Sequence, residues 1–220
     1  MTTENLTTFD LRDQQTFYLE PTPTRHVVLF LIHTVIPMLM DVKTTGLHHF
    51  PKQGGVILAA NHLTNFDVLT MQMVLERPLF FMAKKELFTW YADAFYRHLG
   101  AFPVHRGERD VWALNYAKKV LQQGKVLGMF PEGRRSRDAT LQRGRRGVAR
   151  LALDTGTPIV PMALTGTNLA MKNIPQRAPV TIEFAPVIQP TTQHTPESLT
   201  HEVMQTIAGM LPEANRGVYA

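Results

Sequence analysis

The 220-residue sequence predicts an α/β fold, a mixed, largely parallel sheet flanked by helices. Unbroken apolar runs such as Val56-Ile57-Leu58-Ala59-Ala60 and Leu79-Phe80-Phe81-Met82-Ala83 have the length and continuity of strands buried on both faces. Between the runs lie segments with apolar residues at helical spacing, as expected where helices connect parallel strands. Polar clusters follow several runs directly, at the carboxyl ends of strands, where open α/β sheets bind their ligands.

Taken in order, residues 1–25 are polar and threonine-rich, without the basic start and small-residue cleavage site of a secretory signal, and read as a loose arm. Residues 27–40 are apolar but interrupted by His33 and Pro37, and are too short for an ordinary spanning helix. They are expected to lie in a membrane interface, with Arg25, His26 and Lys43 at headgroup level; a buried core helix is the alternative. Gly46, Pro51 and Gly54-Gly55 then punctuate a short strand and a turn before the central run at 56–60. Leu69, Met73 and Val74 share one helical face until Arg77-Pro78 ends the pattern.

The second run ends at Lys84-Lys85, which reads as an exposed basic turn or as a cation facing the ligand crevice. Gly100 closes a short helix, and an extended piece at 101–107 ends in Arg106, the residue type that suits a phosphate partner. Asp110 is placed to cap a helix carrying Val111, Leu114, Ala117 and Leu121, with Gly124 as its stop. A strand at 126–130 leads into Pro131-Glu132-Gly133-Arg134-Arg135-Ser136-Arg137, and a helix follows over 144–153. The strand at 158–164 contains Pro161, which suggests an edge or a bulge. After a last strand at 180–185, Thr195-Pro196 opens a helix with Leu199, Val203, Ile207 and Met210 as its apolar stripe.

Composition removes several chemistries. There is no cysteine, hence no disulfide, thiolate metal site or cysteine nucleophile. The serines are Ser136 and Ser198, and no Gly-x-Ser-x-Gly occurs, which leaves a serine acyl-enzyme poorly supported. The formal net charge is +5, and Arg134, Arg135, Arg137, Arg143, Arg145, Arg146 and Arg150 crowd one interval. Such a patch suits nucleic acid, anionic headgroups or small phosphorylated molecules. Because no metal-finger spacing or aromatic RNA-binding run accompanies it, no nucleic-acid partner is expected.

His62 and Asp67 carry the sharpest chemical signal. Five residues along an ideal helix turn about 140°, which would point the two side chains apart. If His62 precedes the helix and Asp67 sits in its first turn, the carboxylate can instead accept the imidazole N–H and leave the other ring nitrogen as a base. From these residues alone a second reading stays open, in which Asn65 or Asp67 is a helix cap and His62 a satisfied turn histidine.

Four blocks together resemble the glycerolipid acyltransferase family over residues 46–164. They are Asn61-His62-Leu63-Thr64-Asn65-Phe66-Asp67, Gly100-Ala101-Phe102-Pro103-Val104-His105-Arg106-Gly107, Phe130-Pro131-Glu132-Gly133-Arg134-Arg135-Ser136 and, more weakly, Val160-Pro161. The resemblance implies His62 as general base, Asp67 as its orienting carboxylate, and Arg106, Glu132, Gly133 and Arg135 as the acceptor phosphate site. It also implies Lys84 as partner of the thioester carbonyl. His105 and Arg134 depart from the family's usual acid or amide and threonine. The implied reaction moves a fatty acyl group from acyl-CoA or acyl-carrier protein to the hydroxyl of a lysophospholipid, with lysophosphatidate as the expected acceptor.

That scheme requires no metal and no cofactor beyond the acyl carrier. It divides the chain into a membrane-contact segment at 1–43 and an acyltransferase domain at 44–220, held peripherally or monotopically at the cytoplasmic face of the membrane. Lys84, or backbone N–H groups near the central turn, would stabilise the oxyanion, and the arginines would clamp the acceptor phosphate.

Overall fold

The computed structural model describes residues 10–20, 22–105 and 110–220. Among them are seven strands: β1 (Met40–Thr45), β2 (Val56–Ala60), β3 (Leu79–Lys84), β4 (Ala101–Val104), β5 (Val126–Met129), β6 (Ile159–Thr165) and β7 (Ala178–Phe184). They form one sheet in the order β1-β7-β6-β2-β5-β3-β4. Its neighbours run parallel except for the antiparallel pair β6 and β7.

Helices α1 (Pro23–Leu39), α2 (Phe66–Val74) and α3 (Asp93–Leu99) cover one face, and α4 (Val111–Gln122), α5 (Gly147–Thr155) and α6 (Pro196–Met210) cover the other. Alternate residues of β2 serve the two layers: Val56, Leu58 and Ala60 pack with α1 to α3, Ile57 and Ala59 with α4 to α6. All five are fully buried between β5 and β6, which is why this strand reads as an unbroken apolar run. Burying one such Val, Leu or Ile side chain contributes about 1.5–3 kcal/mol, so the doubly covered centre of the sheet is its most stable part. The polar turns after β2 and β5 therefore hang from a rigid support.

Helix starts follow the chemistry expected of caps. Asp110 accepts from the Ala113 N–H at 3.0 Å, and Thr195 and Ser198 exchange side-chain bonds with each other's backbone in a capping box.

Several expectations need correction. Residues 10–20 are fastened to α4: Arg12 pairs with Asp110 at 2.6 Å and lies over the Trp112 ring at 4.4 Å, and Phe17 packs on Trp112 and Tyr116. Arg25 is 1% exposed, lies over Phe80 and donates to the Leu79 carbonyl at 3.1 Å, so it is not a headgroup contact. Val28, Ile32 and Ile36 of α1 belong to the core, while Val27, Phe30, Leu31, Val35 and Met38 on its other side are exposed. The division at 43/44 falls inside β1, which pairs with β7. Pro161 is neither at an edge nor the price of a lost bond: β6 lies between β2 and β7, and Met162 faces Phe184, where β7 ends. Just beyond, the Ala185 N–H donates to the Pro161 carbonyl at 3.0 Å, so the proline needs no N–H at the place where the ladder stops.

Candidate active site

Strand β2 delivers Asn61 and His62 to the carboxyl rim of the sheet. Asn61 is clamped there by a two-bond exchange with Leu164 of β6, its amide donating at 2.9 Å and its carbonyl oxygen accepting at 2.7 Å. His62 follows in the turn, and Asp67 is the second residue of α2. The turn brings them together, with His62 Nδ1 lying 2.7 Å from Asp67 Oδ2. The alternative cap reading does not hold, because neither Asn65 nor Asp67 accepts an N–H of the helix's first turn. Asn65 makes no side-chain cap bond, but Asp67 Oδ2 also accepts the N–H groups of Leu63 at 2.6 Å and Thr64 at 2.9 Å. One carboxylate thus folds the turn and orients the imidazole.

Asp67 is completely buried, and a buried charge is tolerated only when its acceptor positions are filled. Its other oxygen, Oδ1, accepts the Thr167 hydroxyl at 2.6 Å and, more loosely, that of Thr64 at 3.4 Å. Thr167 comes from the turn after β6, where Gly166 adopts φ +82° and any side chain would strike the Pro179 carbonyl. With Nδ1 donating to the carboxylate, His62 keeps Nε2 as the nitrogen that can act as a base. The ring stacks on Phe130 at 3.8 Å and 12°, which fixes its second degree of freedom.

Glu132 has a different place from the one expected. It is 2% exposed; one oxygen accepts the His62 N–H at 2.7 Å and the other the Gln142 N–H at 2.9 Å. The Ser136 N–H donates in turn to the His62 carbonyl at 2.7 Å, so the loop after β5 holds the histidine's backbone from both sides. Both carboxylate oxygens are thus turned onto backbone N–H groups, and Glu132 is not in the wall of the cleft beside His62. Burial pushes its pKa up to about 7, the two N–H bonds oppose this, and the Asp67 charge adds to it.

The ordinary value being 4.5, folded Glu132 keeps its proton across pH 4.5–7 while the unfolded chain releases it. Its contribution to stability is therefore largest below that window, falls through it by roughly 3 kcal/mol, and is level above. Urea unfolding at several pH values should show Glu132→Gln lacking this falling segment; an identical slope in both proteins would contradict the assignment.

A cleft of about 210 Å³ opens beside the histidine. Its walls are mostly apolar, with Met82, Val104, Phe130 and Val148 prominent, and Arg145 supplies a charge. Gly133 lies in the same wall with φ +70°; a side chain there would meet Arg145 Cδ at 2.9 Å, so the glycine lets the arginine cross close to the loop. Arg135 is exposed on the same loop. Lys84 is about half exposed, lies 3.8 Å from Glu86, and is not in the wall of this cleft. Arg106 lies outside the described residues, although His105 before it donates to Asp110 at 2.8 Å, the carboxylate that Arg12 clasps. The N–H groups of His62, Leu63 and Thr64 are all committed to carboxylates, which removes them as oxyanion donors.

Asn61, Phe130, Thr167 and Arg145 are the contributors to this geometry that residue-level reading of the sequence leaves unassigned. Thr167 had one signal, a glycine-containing polar turn at the end of another strand. Arg145 had none that separates it from its six arginine neighbours.

A family model described as Acyltransferase matches residues 41–165. The chain is 30% identical over 140 residues to the 1-acyl-sn-glycerol-3-phosphate acyltransferase of Bacillus subtilis, covering 62% of this chain and 69% of that protein. Against the protein of the same description from Borreliella burgdorferi it is 31% identical over 139 residues, covering 61% and 56%. The crystal structure of the 1-acyl-sn-glycerophosphate (LPA) acyltransferase, PlsC, from Thermotoga maritima aligns with a TM-score of 0.69 and 25% identity, over 83% of this chain and 78% of that one.

Proposed function

The chain belongs to the acyltransferase family, and from that premise we propose that it transfers a fatty acyl group from an acyl thioester to the free hydroxyl of 1-acyl-glycerol-3-phosphate, giving phosphatidate. The observation that carries this reading is the Asp67–His62 pair opening onto an apolar cleft that also holds an arginine. His62 Nε2 takes the hydroxyl proton as the oxygen attacks the thioester carbonyl. The tetrahedral intermediate collapses by breaking the C–S bond, and the departing thiolate recovers the proton from the imidazolium. No covalent acyl-enzyme is needed, since donor and acceptor can occupy the site together. Asp67 stabilises the imidazolium during this passage.

Arg106, Arg135 and the close backbone at Gly133 are assigned to the acceptor phosphate, joined by Arg145, whose guanidinium lies in the cleft wall. Lys84 remains assigned to the thioester carbonyl as an expectation from its position at the end of β3. No helix among the described residues is long and apolar enough to cross a membrane. Membrane contact, at the cytoplasmic face, is assigned to the exposed Val27, Phe30, Leu31, Val35 and Met38 side of α1, together with the exposed Trp90 and Tyr91 that precede α3 in the chain.

The test is to incubate purified protein with labelled acyl-CoA or acyl-carrier protein and vesicles containing lysophosphatidate. Labelled phosphatidate and co-sedimentation with the vesicles are expected. Free fatty acid formed equally without acceptor would instead indicate a hydrolase, and vesicle binding without thiol release would indicate a noncatalytic lipid-binding module. Product formed only from other lysolipids would move the acceptor assignment.

A further inference from the structure

A second, larger cleft of about 1290 Å³ lies across α4, α5 and α6, outside the histidine site. Its walls carry Lys118, Arg143, Arg145, Arg146 and Arg150 against the carboxylates Asp154 and Glu197. Both carboxylates are already engaged, Asp154 with Lys118 at 2.9 Å and Glu197 with Arg146 at 2.6 Å. No carboxylate among the described residues pairs with Arg143, Arg145 or Arg150. Among the described residues, three guanidinium groups thus share one concavity without a carboxylate partner, an arrangement whose mutual repulsion is relieved by a polyanion.

The two clefts meet. Arg145 and Gly147 stand in the walls of both, so a ligand anchored in the basic cleft can extend over them to His62. His201 and Tyr219 line the same basic cleft with ring centroids 6.4 Å apart, aromatic groups of the kind on which a flat ring can stack, and the Tyr219 hydroxyl accepts the Gly144 N–H at 3.0 Å, which fixes its position.

Resting on the acyl-transfer reading above, we infer that this basic cleft holds the phosphorylated nucleotide end of acyl-coenzyme A, and that the donor is the free coenzyme thioester. Coenzyme A carries a diphosphate and a ribose monophosphate, about −4 in total, together with a purine that can stack. The acceptor's single phosphomonoester would neutralise at most two of the cations. A carrier protein's arm presents a single phosphodiester, which supplies one negative charge where the coenzyme's nucleotide end supplies about four. Arg143 and Arg150 are the discriminating residues, because they are exposed and lie in the basic cleft but not beside His62.

The experiment compares acyl-CoA with acyl-pantetheine, which has the same thioester and no nucleotide, in the native protein and in Arg143→Gln, Arg150→Gln and the double variant. The ratio of kcat/KM for acyl-CoA to that for acyl-pantetheine is expected to fall by about tenfold per arginine, the loss expected for one charge-assisted contact. Calorimetric titration with coenzyme A alone should show a matching loss of affinity, independently of turnover. An unchanged ratio and an unchanged coenzyme A affinity in either folded single variant would overturn the inference. So would a rise confined to the KM for lysophosphatidate or for acyl-carrier protein. Coenzyme A binding that weakens as expected in a protein forming no phosphatidate from any thioester would leave the cleft assignment standing and overturn the acyl-transfer reading instead.

Discussion

Replacing His62 with alanine is expected to lower kcat for phosphatidate formation by about 10²–10⁴-fold, the range typical of a lost general base, while leaving the protein folded. Removal of the ring takes one donor from Asp67, but the Leu63 and Thr64 N–H groups and the Thr167 hydroxyl remain on the carboxylate. Backbone contacts from Glu132 and Ser136 do not involve the ring and persist. The cost to stability is therefore the stacking on Phe130 and one charge-assisted hydrogen bond, about 1–3 kcal/mol. Since the arginines assigned to the acceptor phosphate are untouched, the KM for lysophosphatidate should move little. Steady-state kinetics with thermal unfolding on the same preparation checks both halves. A folded variant that turns over at the native rate would remove His62 from the chemistry.

The parts of this site that lie close together in the chain, or that are buried on every side, were legible in the sequence. β2 is covered on both faces, so its residues are apolar without alternation and its end could be located to the residue. His62 and Asp67 are five residues apart, near enough for a turn to decide their meeting. Thr167 is 100 residues from the carboxylate it serves, and nothing local in a Thr-Gly-Thr turn says which strand end it will face. Glu132 illustrates a different limit. A carboxylate in a glycine-arginine turn can look outward to a ligand or inward to backbone N–H groups, and only the tertiary approach of the β5 loop to the β2 turn chooses. The same holds for α1, where a continuous apolar run concealed two faces, one packed on α2 and α3 and one open. Pro161 was misread because a rule about central strands ignores where along the strand the neighbouring ladder ends.

Asp67→Asn should separate catalysis from folding. Two donors that cannot reverse their roles, the N–H groups of Leu63 and Thr64, converge on Oδ2 together with His62 Nδ1, so an oxygen is required at that position. The partners of Oδ1 are the hydroxyls of Thr167 and Thr64, and a hydroxyl can accept as well as donate. An asparagine can therefore keep its carbonyl oxygen toward the imidazole and turn its amide toward the hydroxyls. On this geometry the histidine retains its tautomer, and stability should change by no more than about 1 kcal/mol. What disappears is the negative charge facing the imidazolium that forms as the hydroxyl proton is taken. At about 4 Å and an effective dielectric of about 20, that charge is worth up to about 4 kcal/mol, so kcat should fall by about 10²–10³-fold. Asp67→Ala should behave differently, because it leaves the Leu63 and Thr64 N–H groups buried without acceptors at a cost of about 1–3 kcal/mol each. Denaturant unfolding paired with single-turnover rates distinguishes the two variants. An asparagine variant as unstable as the alanine one would refute the division of labour between the two carboxylate oxygens, and one that keeps native kcat would refute the electrostatic role of Asp67.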